Sequence, residues 1–454
     1  MDTNITTQQL QELLSGYRLS TGGDIGADYT HDELAGGAPY SPQAVVELES
    51  TEDVAAVLKQ CCGVSMPITV RGAGTGKAGG SVPVKGGLVL SLKGMNKILS
   101  FDQDRSILSV QPGVLLQDVK AEAAKLGLSY PPDPGEKTAS IGGNASTNAS
   151  GPCALKYGKT RDYIADATLV LADGSVARLS DKPEYAEVLG SEGILAVITQ
   201  LELRLVKRPA KDVILLLPFM DSGSCISAAL KLRDFAPAAL EYLDTDLVEF
   251  SGKVTGNPVF PIEMDGERVG ATLMLQLEGE SDDELDEQME AVAELAEELE
   301  CLDILVVDTP TLKRDTWAAH DAFHTSMETA KHSGELNLDL PAEAVGEFVD
   351  YAKGLGQELG LDVLAYAHVG SGGVHLHTLP QSEEGDFAPL MAQFSSQAWA
   401  KCVELGGSIA GEYGVGYAKL AAFKALEGGA YARLAALKAE MDPKGILNPG
   451  KVVE

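Results

Sequence analysis

Basic residues are scarce in this chain of 454 residues: 35 lysines and arginines stand against 67 aspartates and glutamates, for a formal net charge of -32. A field of that sign repels nucleic acid and anionic membrane surfaces, so neither is expected as a partner. An anionic substrate would depend on local positive groups. Long apolar runs are also missing. No stretch approaches the ~18 residues that would suggest a membrane span, and Met1 to Leu10 is polar, without the apolar core of an export signal. No integral membrane segment is expected, and the protein is expected to be soluble and cytoplasmic. The six cysteines (Cys61, Cys62, Cys153, Cys225, Cys301 and Cys402) show no C-x-x-C spacing. That argues against an iron–sulfur cluster or zinc knuckle in this chain and fits reduced thiols.

Glycine is abundant, and one stretch concentrates it: Arg71-Gly-Ala-Gly-Thr-Gly-Lys-Ala-Gly-Gly80, between the apolar run Met66 to Val70 and the strand-like Gly87 to Leu92. Such a loop reads either as an ordinary glycine-rich turn or as a backbone that approaches a diphosphate closely, its amide hydrogens uncovered by side chains. A dinucleotide-binding Rossmann turn fits less well, because no helix opens there. Upstream, residues 1–35 read as helical and then loop-like, Val45 to Glu49 as a strand, and Ser50-Thr-Glu-Asp-Val as the capped start of a helix reaching Cys62. Downstream, Ile107 to Gly113 reads as a strand and turn, and Leu115 to Leu126 as a helix. Tyr130 to Gly135 and Ser140 to Gly151 combine prolines, glycines and short polar side chains. They read as irregular backbone, either a surface loop or a wrapping around a polar ligand. Ala167 to Leu171 and Val176 to Leu179 read as a hairpin turning at Ala172-Asp-Gly174, and Gly190 to Leu205 as a turn feeding a strand. After Lys207-Arg-Pro-Ala-Lys211 two strand-helix-strand groups follow, between Val213 and Asp308. They predict an open, mostly antiparallel sheet with its helices on one face.

The motifs together are more specific than any one of them. Arg71 to Pro83 is similar to R-G-x-G-T-G-x-x-G-G-x-x-P, Pro131 to Pro134 to P-P-D-P, and Ile141 to Gly151 to I-G-G-N-x-x-x-N-x-x-G. Lys156 to Asp162 matches K-Y-G-x-T-R-D, Glu192 to Thr199 matches E-G-x-L-x-x-x-T, and Leu447 to Lys451 matches L-N-P-G-K. The chain therefore resembles the FAD-dependent dehydrogenases of the vanillyl-alcohol oxidase superfamily, in particular the D-lactate dehydrogenase and glycolate oxidase D-subunit branch. The resemblance covers residue 40 to the end and implies an α+β protein: a two-lobed PCMH-type FAD-binding domain and a ferredoxin-like α+β cap domain. The expected divisions are a helical segment at 1–35, the FAD domain at 36–210, the cap or substrate domain at 211–425, and a C-terminal segment, 426–454, returning to the FAD domain.

On this resemblance the FAD diphosphate rests on Arg71, Gly72, Ala73, Gly74, Thr75, Gly76 and Gly79. Pro132 and Asp133, then Ile141, Gly142, Gly143, Asn144, Thr147, Asn148 and Gly151, reach the rest of the cofactor. So do Tyr157, Gly158, Arg161 and Asp162, followed by Glu192, Gly193, Ile198 and Asn448. Relatives with covalent flavin often carry a histidine in the first glycine loop. None is present in this one, so non-covalent FAD is expected.

His368-Val-Gly-Ser-Gly-Gly-Val-His375 resembles H-x-G-D-G-N-x-H, and Gly411-Glu-Tyr-Gly-Val-Gly416 resembles G-E-H-G-x-G. In metal-dependent relatives the two histidines and the glutamate hold a divalent ion that polarises the substrate hydroxyl. Here those positions are His368, His375 and Glu412, a set suited to Zn²⁺ or Fe²⁺; histidines satisfied within a core are the alternative. The neighbours depart from the pattern: Tyr413 stands where relatives have the base histidine, Ser371 and Gly373 replace an aspartate and an asparagine, and His320 replaces the arginine of W-x-x-R. Tyr413 and His377 are the candidate bases, and on a strand His375 and His377 would share a face. His320, Lys313, Arg314 and Lys331 are the candidates for holding a substrate carboxylate. The implied reaction takes a D-2-hydroxy acid such as lactate or glycolate to the 2-oxo acid, with hydride passing to flavin N5. Electrons would leave to a partner, an electron-transfer flavoprotein or an iron–sulfur subunit. The alternative is a flavin-bearing electron-transfer subunit of a larger complex whose own substrate site has degenerated; a changed hydroxy-acid substrate is a third reading.

Overall fold

The computed structural model of the protein describes residues 5–382 and 385–454. The chain divides into two compact units: Met1–Ala149 with Lys159–Arg208 and Glu412–Glu454, and Ser150–Gly158 with Pro209–Gly411.

The first unit is built on two sheets. One orders β1 (Arg18–Thr21), β2 (Ala44–Glu47), β4 (Leu88–Ser91) and β3 (Ile68–Arg71), with β2 and β3 parallel to β4. Beyond α1 (Thr7–Leu13), helix α2 (Thr51–Gly63) starts where the Ser50 hydroxyl accepts from the Asp53 N–H at 3.1 Å. Its Val54, Val57, Leu58 and Cys61 recur at helical spacing and are buried in the core around this sheet. Each large aliphatic side chain removed from water in this way stabilises the fold by about 1.5–3 kcal/mol. The second sheet is antiparallel, in the order β5 (Ile98–Asp102), β6 (Ile107–Val110), β9 (Val197–Arg204), β7 (Ile164–Val170), β8 (Val176–Arg178). The β7–β8 hairpin forms where expected, with Gly174 at φ +84° in its turn. Edge strand β5 was not legible: Ile98, Leu99, Ser100 and Asp102 are all exposed, so no alternation marks it. The N-terminal segment likewise contains β1, a strand where only helix and loop were expected. The chain end pairs back onto β3: Ile68 N–H donates to Ile446 O and Asn448 N–H to Ile68 O, both at 2.7 Å.

The stretch 140–151 departs from its expected irregularity, because Ile141–Thr147 is a helix, α4, that follows α3 (Leu116–Lys125). Ser140 caps it by accepting from the Gly143 N–H at 3.3 Å, and Asn148 ends it in the left-handed conformation at φ 50°. A Cβ on Gly142 would stand 2.5 Å from Pro112 Cβ, so glycine permits the close approach. Glycine content masked a short helix whose caps supply the local signal.

The second unit holds one antiparallel sheet of seven strands. These are β10 (Lys211–Phe219), β11 (Ala239–Asp244), β12 (Ala271–Gly279), β13 (Leu305–Val307), β14 (Gly334–Asp339), β15 (Leu361–His368) and β16 (Gly373–Pro380), in the order β13-β10-β12-β11-β15-β16-β14. Helices α5 (Ser222–Leu232), α6 (Thr245–Thr255), α7 (Asp282–Glu298), α8 (Pro310–Met327) and α9 (Val345–Leu359) connect them. The expectation of helices on one face is corrected here. Ile214, Leu243 and Met274 pack with Leu247 of α6 and Phe323 of α8. Tyr242, next to Leu243 and so facing the other way, donates to Ser222 of α5 at 2.8 Å. Both faces are covered, which is why strand positions such as 239–244 are buried without alternation.

Candidate active site

In the first unit a cleft opens beside the glycine loop. Strand β3 delivers the chain to Arg71, whose guanidinium donates to the His31 carbonyl at 2.8 Å and to Ser81 Oγ at 3.2 Å. Gly74 folds over that guanidinium at φ +84°, where a Cβ would lie 2.0 Å from Arg71 Nη2. Among the described residues, the N–H groups of Gly74, Thr75 and Gly76 donate to no protein acceptor. They leave a short row of donors at the wall of the cleft, suited to an anion such as a diphosphate. Ser140 faces the loop and also accepts, at 3.4 Å, from the Ala73 N–H.

The wall of the cleft includes much of the set assigned to FAD: residues 72–76, Gly142, Gly143, Asn144, Thr147, Glu192, Gly193, Ile198 and Asn448. Glu192 sits at φ 55°, and its buried carboxylate accepts from the N–H groups of Val415 (2.6 Å) and Gly416 (2.8 Å). Burial raises its pKa despite those bonds. Asn448 donates to the Glu192 carbonyl at 2.7 Å. Nearby, Lys451 is fully enclosed and burial brings its ammonium down to about 7.

Other members of that set brace the fold. Gly79, at φ +79°, packs under the Tyr417 ring, and Pro132 and Ile141 are buried. Burial opposes ionisation of Asp133, yet Lys120 and Lys137, at 3.0 and 2.8 Å, hold its carboxyl below the ordinary range. Arg161 donates to the Leu189 carbonyl at 2.5 Å, Asn148 accepts from the Arg161 N–H at 2.9 Å, and Asp162 accepts from the Lys159 N–H at 2.8 Å. Gly151, Tyr157 and Gly158 belong to the second unit, where the Tyr157 hydroxyl donates to Glu278 at 2.5 Å. Reasoning from motifs missed Ser81, Ser146 and Ala196 on the wall, small residues that carry no signal of their own. It placed Glu412 and Tyr413 apart from the flavin residues, whereas both line this same cleft.

In the second unit neighbouring strands bring three titratable residues and an asparagine together. Register pairs Glu241 of β11 with His368 of β15, and Asn337 of β14 with His375 of β16. His368 Nδ1 lies 2.6 Å from Glu241 Oε2, an acceptor, so that nitrogen carries a proton. Asn337 uses its amide nitrogen on Glu335 Oε1 at 2.8 Å, which turns its oxygen to His375 Nδ1 at 2.5 Å. His375 Nδ1 is therefore a donor as well. The two Nε2 atoms face each other at 3.2 Å, so with both rings neutral each presents a lone pair to the other. Burial, and then the neighbouring His368, push the pKa of His375 well below the usual histidine value. The Tyr366 ring stacks on His375, with centroids 4.3 Å apart at 8°, and fixes its orientation. His377 follows on the same face of β16, as its strand position predicts, with its ring 6.1 Å from that of Tyr366.

His320, on α8, sets Nε2 3.1 Å from the same Glu241 oxygen and Nδ1 3.5 Å from Asp321. Burial alone would lower its pKa, but the two carboxylates prevail and raise it to about 9. Burial likewise opposes ionisation of Glu241, and the histidines at 368 and 320 hold it low. The folded protein thus keeps a proton on His320 that an unfolded chain releases near ~6.5. The resulting stabilisation is full below that value and is lost as pH rises through about 9. In thermal melts His320→Gln is expected to lower the midpoint most below about pH 6.5, the difference shrinking towards alkaline pH; a pH-independent difference would contradict the pairing. The charge of Lys313 is engaged by Asp212 at 2.7 Å and that of Arg314 by Asp315 at 2.8 Å. Lys331 lies in the chain between α8 and β14. Gly373 opens β16 opposite His368, and Gly372 turns at φ +91° before it, where a Cβ would meet the Leu340 carbonyl.

Residues 42–180 match the FAD binding domain family, and residues 208–452 match the C-terminal domain of FAD linked oxidases. A D-lactate dehydrogenase of Anaerostipes hadrus is 38% identical over 96% of this chain and 94% of its own length. The glycolate oxidase subunit GlcD of Bacillus subtilis is 29% identical over 90% of this chain and 89% of its own. Among solved structures, p-cresol methylhydroxylase superposes with a TM-score of 0.76 over 98% of this chain and 96% of that one, at 18% identity, a likeness of fold. Among the described residues no helix is long and apolar enough to cross a membrane.

Proposed function

This chain belongs to the family of FAD-linked oxidases, as an α+β oxidoreductase of the D-lactate dehydrogenase and glycolate oxidase kind, and we propose that it oxidises a small D-2-hydroxy acid to the 2-oxo acid with the help of a divalent ion. The observation that carries the reading is the pair of imidazole Nε2 atoms facing each other at 3.2 Å. Two acceptors in that arrangement repel unless a proton or a cation lies between them. A tetrahedral ion with nitrogen ligands at about 2.0–2.1 Å separates those nitrogens by about 3.4 Å. The donor set, neutral imidazoles each backed through the other nitrogen, fits a transition-metal ion. Glu412 completes the set on the strength of its sequence motif.

FAD would supply the acceptor for the hydride, and the bound ion would lower the pKa of the substrate hydroxyl. The protein does the rest. The amides of residues 74–76 would hold the diphosphate, with Gly142 and Gly143 leaving room for the cofactor. Tyr413, on the wall of the same cleft, would take the hydroxyl proton, since a metal-bound alcohol asks less of its base. His320 would act as a positioning residue: committed to two protein carboxylates, it holds Glu241 against His368. Electrons would leave to a partner protein, a reading supported by the description of the Bacillus subtilis relative as a subunit.

The purified chain, loaded with FAD and metal, should reduce an artificial dye with D-lactate or glycolate. Absence of turnover with every 2-hydroxy acid would sink the proposal and favour an electron-transfer subunit with a degenerate substrate site.

A further inference from the structure

We infer that the second unit carries a second binding site for a divalent transition-metal ion, formed by His324, Glu335 and His377. The three come from α8, β14 and β16, and Glu335 and His377 are direct partners across the strand pair, so their side chains lie side by side on one face. One ligand atom from each lies within 4.8 Å of the others, and His324 Nδ1 is 3.3 Å from Glu335 Oε2. An ion with bonds of about 2.0–2.2 Å sets its ligand atoms about 3.3–3.6 Å apart. The set therefore has to close by little more than about 1 Å at its widest, within the reach of small side-chain rotations. Two imidazoles and a carboxylate are the donor chemistry of Zn²⁺, Co²⁺ and Fe²⁺.

The outer partners strengthen the case. Metal-bound imidazoles commonly give their second nitrogen to a carboxylate, and His324 Nε2 lies 3.1 Å from Glu328 Oε1. Glu335 presents Oε2 to His324 while its Oε1 is held by the Asn337 amide at 2.8 Å. The His377 ring lies 16° from parallel to Tyr366, which limits its rotation. His377 is almost fully buried, at 1% exposure. Side-chain exposures of 22% for His324 and 14% for Glu335 leave a way in from solvent. Asn337 touches both His375 and Glu335, so it joins this site to the first histidine pair.

The test is a Co²⁺ titration of the FAD-containing, chelator-stripped protein, read by visible absorption and by bound metal per chain. His324→Gln and Glu335→Gln are each expected to bind one ion fewer than wild type, and His368→Ala to retain the ion held by His324. Circular dichroism and a thermal melt like those of wild type report that each variant is folded, and the partial exposure of His324 makes its replacement mild. Unchanged stoichiometry in both the 324 and 335 variants overturns the inference. So does a His368→Ala protein that binds no ion, a result that needs neither of the other variants. Should wild type bind a single ion that His324→Gln removes and His368→Ala does not, this site stands and the first metal assignment falls.

Discussion

Replacing Gly76 with aspartate is expected to weaken FAD binding about 1,000-fold while the apoprotein stays folded. The position tolerates a side chain: its φ is not positive, and the nearest atom to an added Cβ is Asp32 Oδ2 at 3.7 Å. What changes is charge. A carboxylate there would stand among the donor N–H groups of residues 74–76, where the diphosphate is proposed to rest. Two like unit charges about 4 Å apart at an effective dielectric constant of about 20 repel by about 4 kcal/mol, or about three decades of affinity. Gly76→Ala, which adds bulk without charge, should keep most of the flavin. Flavin content after purification and FAD titration of the apoproteins measure both. Equal affinity in the aspartate variant and wild type would remove the diphosphate from this loop.

The second large effect is expected of His375→Ala. Polarisation of a hydroxyl by a bound metal contributes several kcal/mol of transition-state stabilisation, so loss of a ligand should slow flavin reduction by substrate about 1,000-fold. Flavin content should not change, because every residue lining the flavin cleft belongs to the other unit of the chain. Stopped-flow reduction of the variant under anaerobic conditions, with metal and FAD measured on the same sample, checks both halves. A variant that reduces as fast as wild type would make His375 a structural residue.

The sequence announced the flavin half far more openly than the substrate half, for a physical reason. A backbone cradle needs glycines at fixed positions, and these read directly from Arg71 to Gly80 and from Glu192 to Gly193. Side-chain chemistry assembled across strands leaves fainter marks. Glu241 was visible only as a lone carboxylate in the apolar stretch Ala239 to Leu243, and its meaning depends on β11 lying beside β15. Asn337, Glu335 and His324 had no motif at all, since each matters through a register partner or a helix neighbour. The reading of residues 140–151 as irregular failed because glycine was weighed above the Ser140 and Asn148 caps. The one-face reading of the second sheet failed because strand-helix-strand order does not say which side each helix takes.

The central claim is that the flavin of this protein is reduced by a 2-hydroxy acid at a metal-assisted site. Its most direct test is anaerobic mixing of FAD- and metal-loaded protein with D-lactate, L-lactate or glycolate while flavin absorbance is followed. The account predicts bleaching by D-lactate or glycolate, little by L-lactate, and loss of the reaction on chelation with restoration by Zn²⁺ or Fe²⁺. Flavin that stays oxidised with every hydroxy acid, although dithionite reduces it and the metal is present, would contradict the account.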